Sequence, residues 1–172
     1  MEWKINKSSK GCVDCSKEFC EEEEYYSALY DEGNIFTRRD FCISCWSKGK
    51  GGEHFSFWKT KVPRKDKPAQ RFVNIEVFLD MFVRLEGNNE PRQRNLRYVL
   101  ALYLIRKKIF KLKSWEKRDG EEFIKVYYPK EDREYSVLNP NLTEEEIEAI
   151  TLEMSQLLNY PYLEHEAFSR VD

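Results

Sequence analysis

No stretch of the 172-residue chain approaches the roughly 18 consecutive apolar residues that a membrane span requires. The best candidate, residues 96–105, is ten residues long, contains Arg97, and runs into Arg106, Lys107 and Lys108. Glycine and proline are scarce, 7 and 6 residues, which excludes collagenous and low-complexity chains. There is no Gly-rich phosphate loop, no nucleophile elbow, and no HExxH pair of helix histidines placed for a catalytic metal. No catalytic residue emerges, and the expectation is a chain that is not an enzyme. The first ten residues, MEWKINKSSK, hold no apolar segment of the kind that directs secretion. A soluble, cytoplasmic protein with no membrane partner is therefore expected. What is present suits a packed fold: 41% hydrophobic, 15% aromatic and 35% charged residues, enough for a real core in one domain or two small ones.

Charge is strongly segregated along the chain. Residues 1–58 carry a formal −3, residues 59–118 carry +11 and residues 119–172 carry −10, giving −2 overall. A basic centre beside an acidic end fits a phosphate-binding face, a surface for an acidic protein, or regions that neutralise one another in the fold. The sequence pI of 5.9 is not that of a dedicated nucleic-acid binder.

All five cysteines fall within the first 45 residues. Cys12-Val-Asp-Cys15 and Cys42-Ile-Ser-Cys45 form a C-x2-C…C-x2-C pattern with 26 residues between the pairs. A two-residue spacer lets the backbone curl so that both sulfurs of a pair face one ion, and two such knuckles make a closed tetrahedral shell. Thiolates select zinc or iron over hard cations. The first reading is one structural Zn2+ held by Cys12, Cys15, Cys42 and Cys45. The alternatives are an iron–sulfur or rubredoxin-like iron site, and disulfides, which need an oxidising compartment. Cys20 and His54 are further donors that could replace one ligand.

Between the knuckles, residues 25–30 are β-prone, Asp31-Glu-Gly33-Asn34 is a turn, and residues 35–41 are β-prone again, which predicts a hairpin. Residues 43–48 can open a helical turn at the second knuckle. Knuckle, hairpin, then a knuckle opening a helix resembles the treble-clef zinc finger, and more broadly the zinc ribbon, over residues 10–50. That resemblance implies a fold rather than an activity. Five Cys and two His are too few for the eight ligands of a two-zinc RING or LIM module. His54 and His165 sit in no motif of the kind that treble-clef nucleases use.

Residues 51–71 are rich in Lys, Gly and Pro and read as a basic linker that includes Lys59, Lys61, Arg64, Lys65 and Lys67. From residue 72 the pattern turns helical. Asn74 is placed to cap a helix carrying Val77, Phe78, Met81, Phe82 and Leu85, which Gly87 ends. Asn89 is placed to cap a second helix with Pro91 in its first turn. The spacing of Tyr98, Leu102, Ile105, Ile109 and Leu112 carries that helix to about Lys113. Residues 122–128 and 134–138 read as a hairpin with a five-residue loop. Thr143-Glu-Glu-Glu146 is a capping box for a last helix bearing Ile147, Ile150, Met154 and Leu157, with a tail at 160–172.

The expected architecture is α+β: a treble-clef-like zinc domain over residues 1–50, the linker, and a helix–helix–β-hairpin–helix domain over 72–172. The second core is expected to include Leu100, Leu102, Ile105, Ile109, Val126, Ile147 and Ile150. Helix, turn, helix and hairpin also resembles a winged helix, but the second helix is apolar on most sides and leaves little polar face for a groove. Arg92, Arg94 and Arg97 near its start are the candidate contacts to an anion or partner, or else pair with Glu144, Glu145, Glu146 and Glu148. The expected role is a non-catalytic zinc-stabilised interaction module whose partner is another protein. Nucleic-acid or ribosome-associated binding through residues 59–118 is the alternative.

Overall fold

A computed structural model describes residues 11–33, 36–62, 64–66 and 75–158. The turn residue Asn34, linker residues 67–71, the expected cap Asn74, His165 and the tail beyond 158 lie outside them. Among the described residues, helices combine with two antiparallel three-stranded sheets, an α+β fold. Among the described residues, no helix is long and apolar enough to cross a membrane. The described chain divides into two compact units, one of residues 11–77 with 153–158 and one of residues 78–152.

In the first unit, β1 (Glu24–Asp31) and β2 (Phe36–Cys42) form the expected hairpin, with Tyr25 opposite Cys42 and Asp31 opposite Phe36. Gly33 sits in the turn at φ 89°, where a side chain would be strained, and its N–H donates to Asp31 Oδ1 at 3.1 Å. β2 runs directly into the short helix α1 (Ile43–Ser47). A third strand, β3 (Ser56–Lys61), then pairs with the other side of β1. Residues 56–61 are thus strand rather than linker. The reason is alternation: Ser56, Trp58 and Thr60 turn to one face and Phe57, Lys59 and Lys61 to the other, so the lysines that suggested a linker are the solvated side of a strand.

The second unit is organised by α3 (Pro91–Arg106), in which nine consecutive residues from Leu96 to Leu104 are buried. A helix buried on every side must be wrapped by other elements. α2 (Ile75–Arg84) ends near Gly87 and contributes Phe78, Met81 and Phe82, all fully buried. Phe78 meets Tyr103 at 4.5 Å between ring centroids, and Phe82 meets Phe110 at 5.0 Å and Tyr135 at 5.1 Å. The helix start differs from expectation in its cap. Glu90 occupies that position and makes no side-chain capping bond, while Asn89 Oδ1 accepts from Arg94 Nη2 at 3.2 Å.

The larger difference lies downstream. α3 stops at Arg106 rather than about Lys113, and residues 111–118 form a strand, β4 (Lys111–Arg118). With β5 (Glu121–Tyr128) and β6 (Arg133–Asn139) it makes a β4-β5-β6 meander where a hairpin was expected. The 3–4 spacing through Ile109 and Leu112 does not continue the helix, because Lys108 takes a left-handed φ of 61°. The N–H groups of Ile109 and Phe110 then both turn back to the Leu104 carbonyl, at 2.9 and 3.1 Å. That turn puts Phe110 in the core at 2% exposure. Leu100, Leu102, Val126 and Ile147 are buried as expected, whereas Ile105, Ile109 and Ile150 are only half-buried.

α4 (Glu144–Leu158) begins with the expected capping box. Thr143 N–H donates to Glu146 Oε2 at 2.8 Å, and Glu146 N–H donates to Thr143 Oγ1 at 3.2 Å. Two orphan donors of the first turn are thereby satisfied.

Two stability measurements follow from these contacts. Leu102→Ala should lower the unfolding free energy by about 2–5 kcal/mol, the range for a buried leucine truncation, with metal content unchanged. Thr143→Ala should cost about 1 kcal/mol. Urea titrations followed by circular dichroism read both, and a Leu102→Ala loss under about 1 kcal/mol would contradict the placement of α3 at the centre of that core.

Candidate metal centre

The metal centre is built from two chain reversals and the end of one strand. The first knuckle is closed by Cys12 N–H donating to Lys17 O at 2.8 Å and Ser16 N–H donating to Cys12 O at 2.9 Å. Gly11 borders it and admits no other residue, since a Cβ there would lie 2.6 Å from the Lys17 carbonyl oxygen. Val13 N–H donates to Asp40 O at 2.9 Å, which pins this knuckle to β2 two residues before Cys42. The second knuckle is the start of α1. Cys42 is its N-cap in extended conformation, φ −64° and ψ 158°, and its sulfur accepts from Cys45 N–H at 3.4 Å. A cysteine at an N-cap offers its sulfur to an orphan helix amide, which fixes the direction in which the sulfur points.

These elements bring Cys12, Cys15, Cys42 and Cys45 together, with all four Sγ atoms within 4.8 Å of one another. Two thiolates at about 2.3 Å from a tetrahedral zinc stand about 3.8 Å apart. The Cys15 and Cys42 sulfurs are 3.8 Å apart, so a small contraction of the other pairs completes the shell. All five cysteines are free thiols rather than disulfides. Cys12, Cys42 and Cys45 are buried and Cys15 is exposed, and the buried three pack with Ala28 and Phe41 under Phe19, Tyr30 and Trp46.

The electrostatics of the bare cluster call for a cation. Burial pushes the Cys12 thiol up, but N–H groups of Cys15, Cys42 and Asp14 directed at it outweigh that and bring it down to about 7. Cys45 moves the other way: its hydrogen bond with Cys42, and then burial, hold its thiol well above the usual range. Hydrogen bonding thus acts in opposite directions on the two sulfurs, lowering the Cys12 thiol and raising that of Cys45. A divalent ion held by the four sulfurs would let each of them ionise. The donor set is all sulfur, which suits zinc.

The other donors stay outside. Cys20 is exposed, and its backbone N–H donates to Glu23 Oε2 at 2.8 Å. His54 Nδ1 lies 3.0 Å from Gly52 O, and its ring packs on Trp46 and Phe57 at 5.3 and 5.0 Å. Among the described residues neither joins the sulfur cluster.

The three arginines do not form the expected exposed contact site. Arg97 is 8% exposed. Its Nε donates to Phe82 O at 3.3 Å, its Nη1 to Ser136 O at 3.2 Å, and its guanidinium lies 4.4 Å from the Phe82 ring centre. It fastens β6 and α2 together, and burial lowers its proton affinity. Arg94 is half-buried against Asn89 and Arg92 is also half-buried. Glu146, offered as a partner for them, closes the α4 capping box instead.

A polar cluster that sequence reading missed lies on β1 and β2. Arg38 and Asp40, with side chains 3% and 1% exposed, form an ion pair at 3.0 Å. Ser27 Oγ donates to Asp40 Oδ1 at 2.6 Å and accepts from Arg38 Nη2 at 3.0 Å. The available signal was the i, i+2 spacing of Arg38 and Asp40, which puts opposite charges on one face of a strand.

Compared with family models, curated proteins and solved structures, the chain matches none.

The metal site makes definite analytical predictions. Purified protein should carry one zinc per chain and show no visible iron–sulfur absorption. Cys42→Ser should lose the metal, while Cys20→Ser and His54→Ala should keep it in full. Zinc affinity should fall as pH is lowered, because protons compete for all four sulfurs. Elemental analysis and a chelator competition at two pH values check this, and full metal content in Cys42→Ser would contradict it.

Proposed function

We propose that this chain is a non-catalytic, zinc-stabilised module that binds another protein, and that residues 11–47 form a treble-clef-like finger. The observation that carries the non-catalytic part is the closed shell. With four sulfurs around one point there is no open coordination position for water or substrate, and the metal's work is to fold the hairpin. The first knuckle has no regular structure to hold it, and β3 supports the hairpin only on the far side of β1, away from β2. Free thiols at metal-binding spacing suit a reducing compartment such as the cytoplasm.

Support for a protein partner comes from how the basic centre is dressed. Lys59 pairs with Glu24 at 2.8 Å, Arg64 lies 3.7 Å from both Glu22 and Asp66, Arg84 pairs with Asp80 at 2.9 Å and Arg118 with Glu116 at 2.9 Å. Lys59 and Arg64 meet carboxylates from outside the basic segment, Arg84 and Arg118 meet carboxylates within it, and Arg97 is buried, so positive and negative charge are interleaved rather than gathered into one bare phosphate-binding face. Phe57, 45% exposed, lies against Trp46 at 5.2 Å and His54 at 5.0 Å, and an exposed aromatic edge beside interleaved charge suits a protein partner better.

One observation favours the second reading. On the edge strand β4, Lys111, Lys113 and Lys117 are exposed beside Trp115, itself 48% exposed. Lysines with a free aromatic ring are the elements of a single-strand stacking platform. Anisotropy titrations of the zinc-loaded chain with mixed-sequence RNA and DNA separate the readings. The expected result is no binding that collapses between about 50 and 200 mM salt. Salt-steep binding that is abolished by Lys113→Glu with Lys117→Glu would transfer the function to nucleic acid.

A further inference from the structure

We infer that zinc occupancy sets whether the last turn of α4 is docked, through a buried latch formed by Ser27, Arg38 and Asp40; the inference rests on the structural-zinc reading above. The latch is continuous with the metal site through backbone. Asp40 stands two residues before the ligand Cys42, and its carbonyl accepts the Val13 N–H at 2.9 Å, next to the ligand Cys12. Its carboxylate holds Arg38 at 3.0 Å and Ser27 Oγ at 2.6 Å. Register puts all three side chains on one face, since Ser27 lies opposite Asp40 and Arg38 opposite Leu29.

The free arm of Arg38 reaches α4. Its Nη1 donates to Leu157 O at 3.3 Å, and its guanidinium lies 5.4 Å from the Trp58 ring centre. The last carbonyls of a helix lack intrahelical partners and carry the negative end of its dipole, so a guanidinium is a favourable group there. Met154, Ser155 and Leu157 in the same turns are 3%, 3% and 6% exposed, so this end of α4 is docked rather than grazed.

Two features make the contact two-state rather than graded. A buried ion pair is held only while both partners and their hydrogen bonds stay in place, because a single buried charge left behind is strongly destabilising. This pair is already incompletely satisfied: among the described residues Asp40 Oδ2 has no hydrogen-bond partner. Losing the metal frees Cys42 at the end of β2 and the knuckle that caps the Asp40 carbonyl. The pair then gains water, and Arg38 leaves Leu157. Linkage makes the effect reciprocal, so that breaking the latch weakens zinc binding by the factor by which zinc favours docking.

Hydrogen exchange on the full chain reads the docking directly. In wild type, stripping zinc with a chelator should speed exchange in residues 153–158 by about tenfold or more, with residues 144–152 unchanged. Arg38→Lys keeps the charge beside Asp40 but lacks the fork that reaches Ser27 and Leu157. It should give the same local acceleration while still zinc-loaded, and should surrender zinc to a chromophoric chelator more readily than wild type. Should Arg38→Lys fold poorly, the double variant Arg38→Met with Asp40→Asn removes both charges and should behave alike. A zinc-loaded wild type whose residues 153–158 ignore the chelator, or a latch variant with unaltered exchange and zinc affinity, overturns the coupling alone. A chain that purifies without metal and shows no chelator response anywhere overturns the zinc reading and the coupling with it.

Discussion

The convergence of four sulfurs on one point constrains almost everything in the first unit. Cys12 and Cys15 come from a knuckle with no regular structure, Cys42 from the end of a strand and Cys45 from the first turn of a helix. Those sources can meet only if β1 and β2 hold one register, because a slip by one residue turns Cys42 to the other face of the sheet. The glycine at position 11, the Val13 to Asp40 hydrogen bond and the N-cap geometry of Cys42 each serve that convergence. On the reading proposed above, metal affinity and hairpin register would be one free energy seen from two sides.

The two buried arginines show how charge is handled away from the metal. Arg38 has a carboxylate beside it and Arg97 has none among the hydrogen-bond partners given above. Arg97 relies on two carbonyl oxygens and the face of Phe82, a weaker compensation that leaves its Nη2 without a partner among the described residues. Neither arrangement is favourable as isolated electrostatics. What each does is fix geometry: Arg97 sets α2 against β6, and Arg38 sets the end of α4 against β1 and β2. A planar fork with several donors can tie two backbones together where an apolar side chain of equal size could not.

Local signals were legible in the sequence where one interaction dominated. The C-x2-C pairs, the hairpin between them and the capping box at Thr143 each rest on a few neighbouring residues and have their counterparts in the fold, and the loop expected over 129–133 is present but one residue shorter, since Arg133 pairs with Tyr128. Legibility failed where two patterns overlapped. Through residues 105–112 the helical stripe of Ile105, Ile109 and Leu112 coexists with the alternation of Lys111, Leu112 and Lys113. Nothing local announces that Lys108 will adopt a left-handed φ. The buried Phe110 decides it, and its partners Phe82, Tyr128 and Tyr135 are distant in sequence. β3 was hidden for a related reason. Its pairing surface is β1, some thirty residues earlier, and its lysines mimic a linker.

The charge pattern carries the same lesson into function. Along the chain, the excess of +11 over residues 59–118 suggests one continuous electrostatic face, yet the fold spreads those residues over β3, α2, α3 and β4. Once spread, Lys59 meets Glu24 because β3 lies against β1, and the same pairing places Lys125, beyond the basic segment, between Glu116 and Glu134 because β5 is flanked by β4 and β6. Strand pairing thus converts segregation in sequence into interleaving in space. Among the described residues, part of the remaining basic character sits on the outer edge of the β4–β6 sheet, since an edge strand has one neighbour where an inner strand has two. Lysines on such an edge also discourage association with another sheet. The placement of Lys111, Lys113 and Lys117 is therefore accounted for by the fold before any partner is invoked, and a nucleic-acid role would have to be demonstrated over and above that protective one.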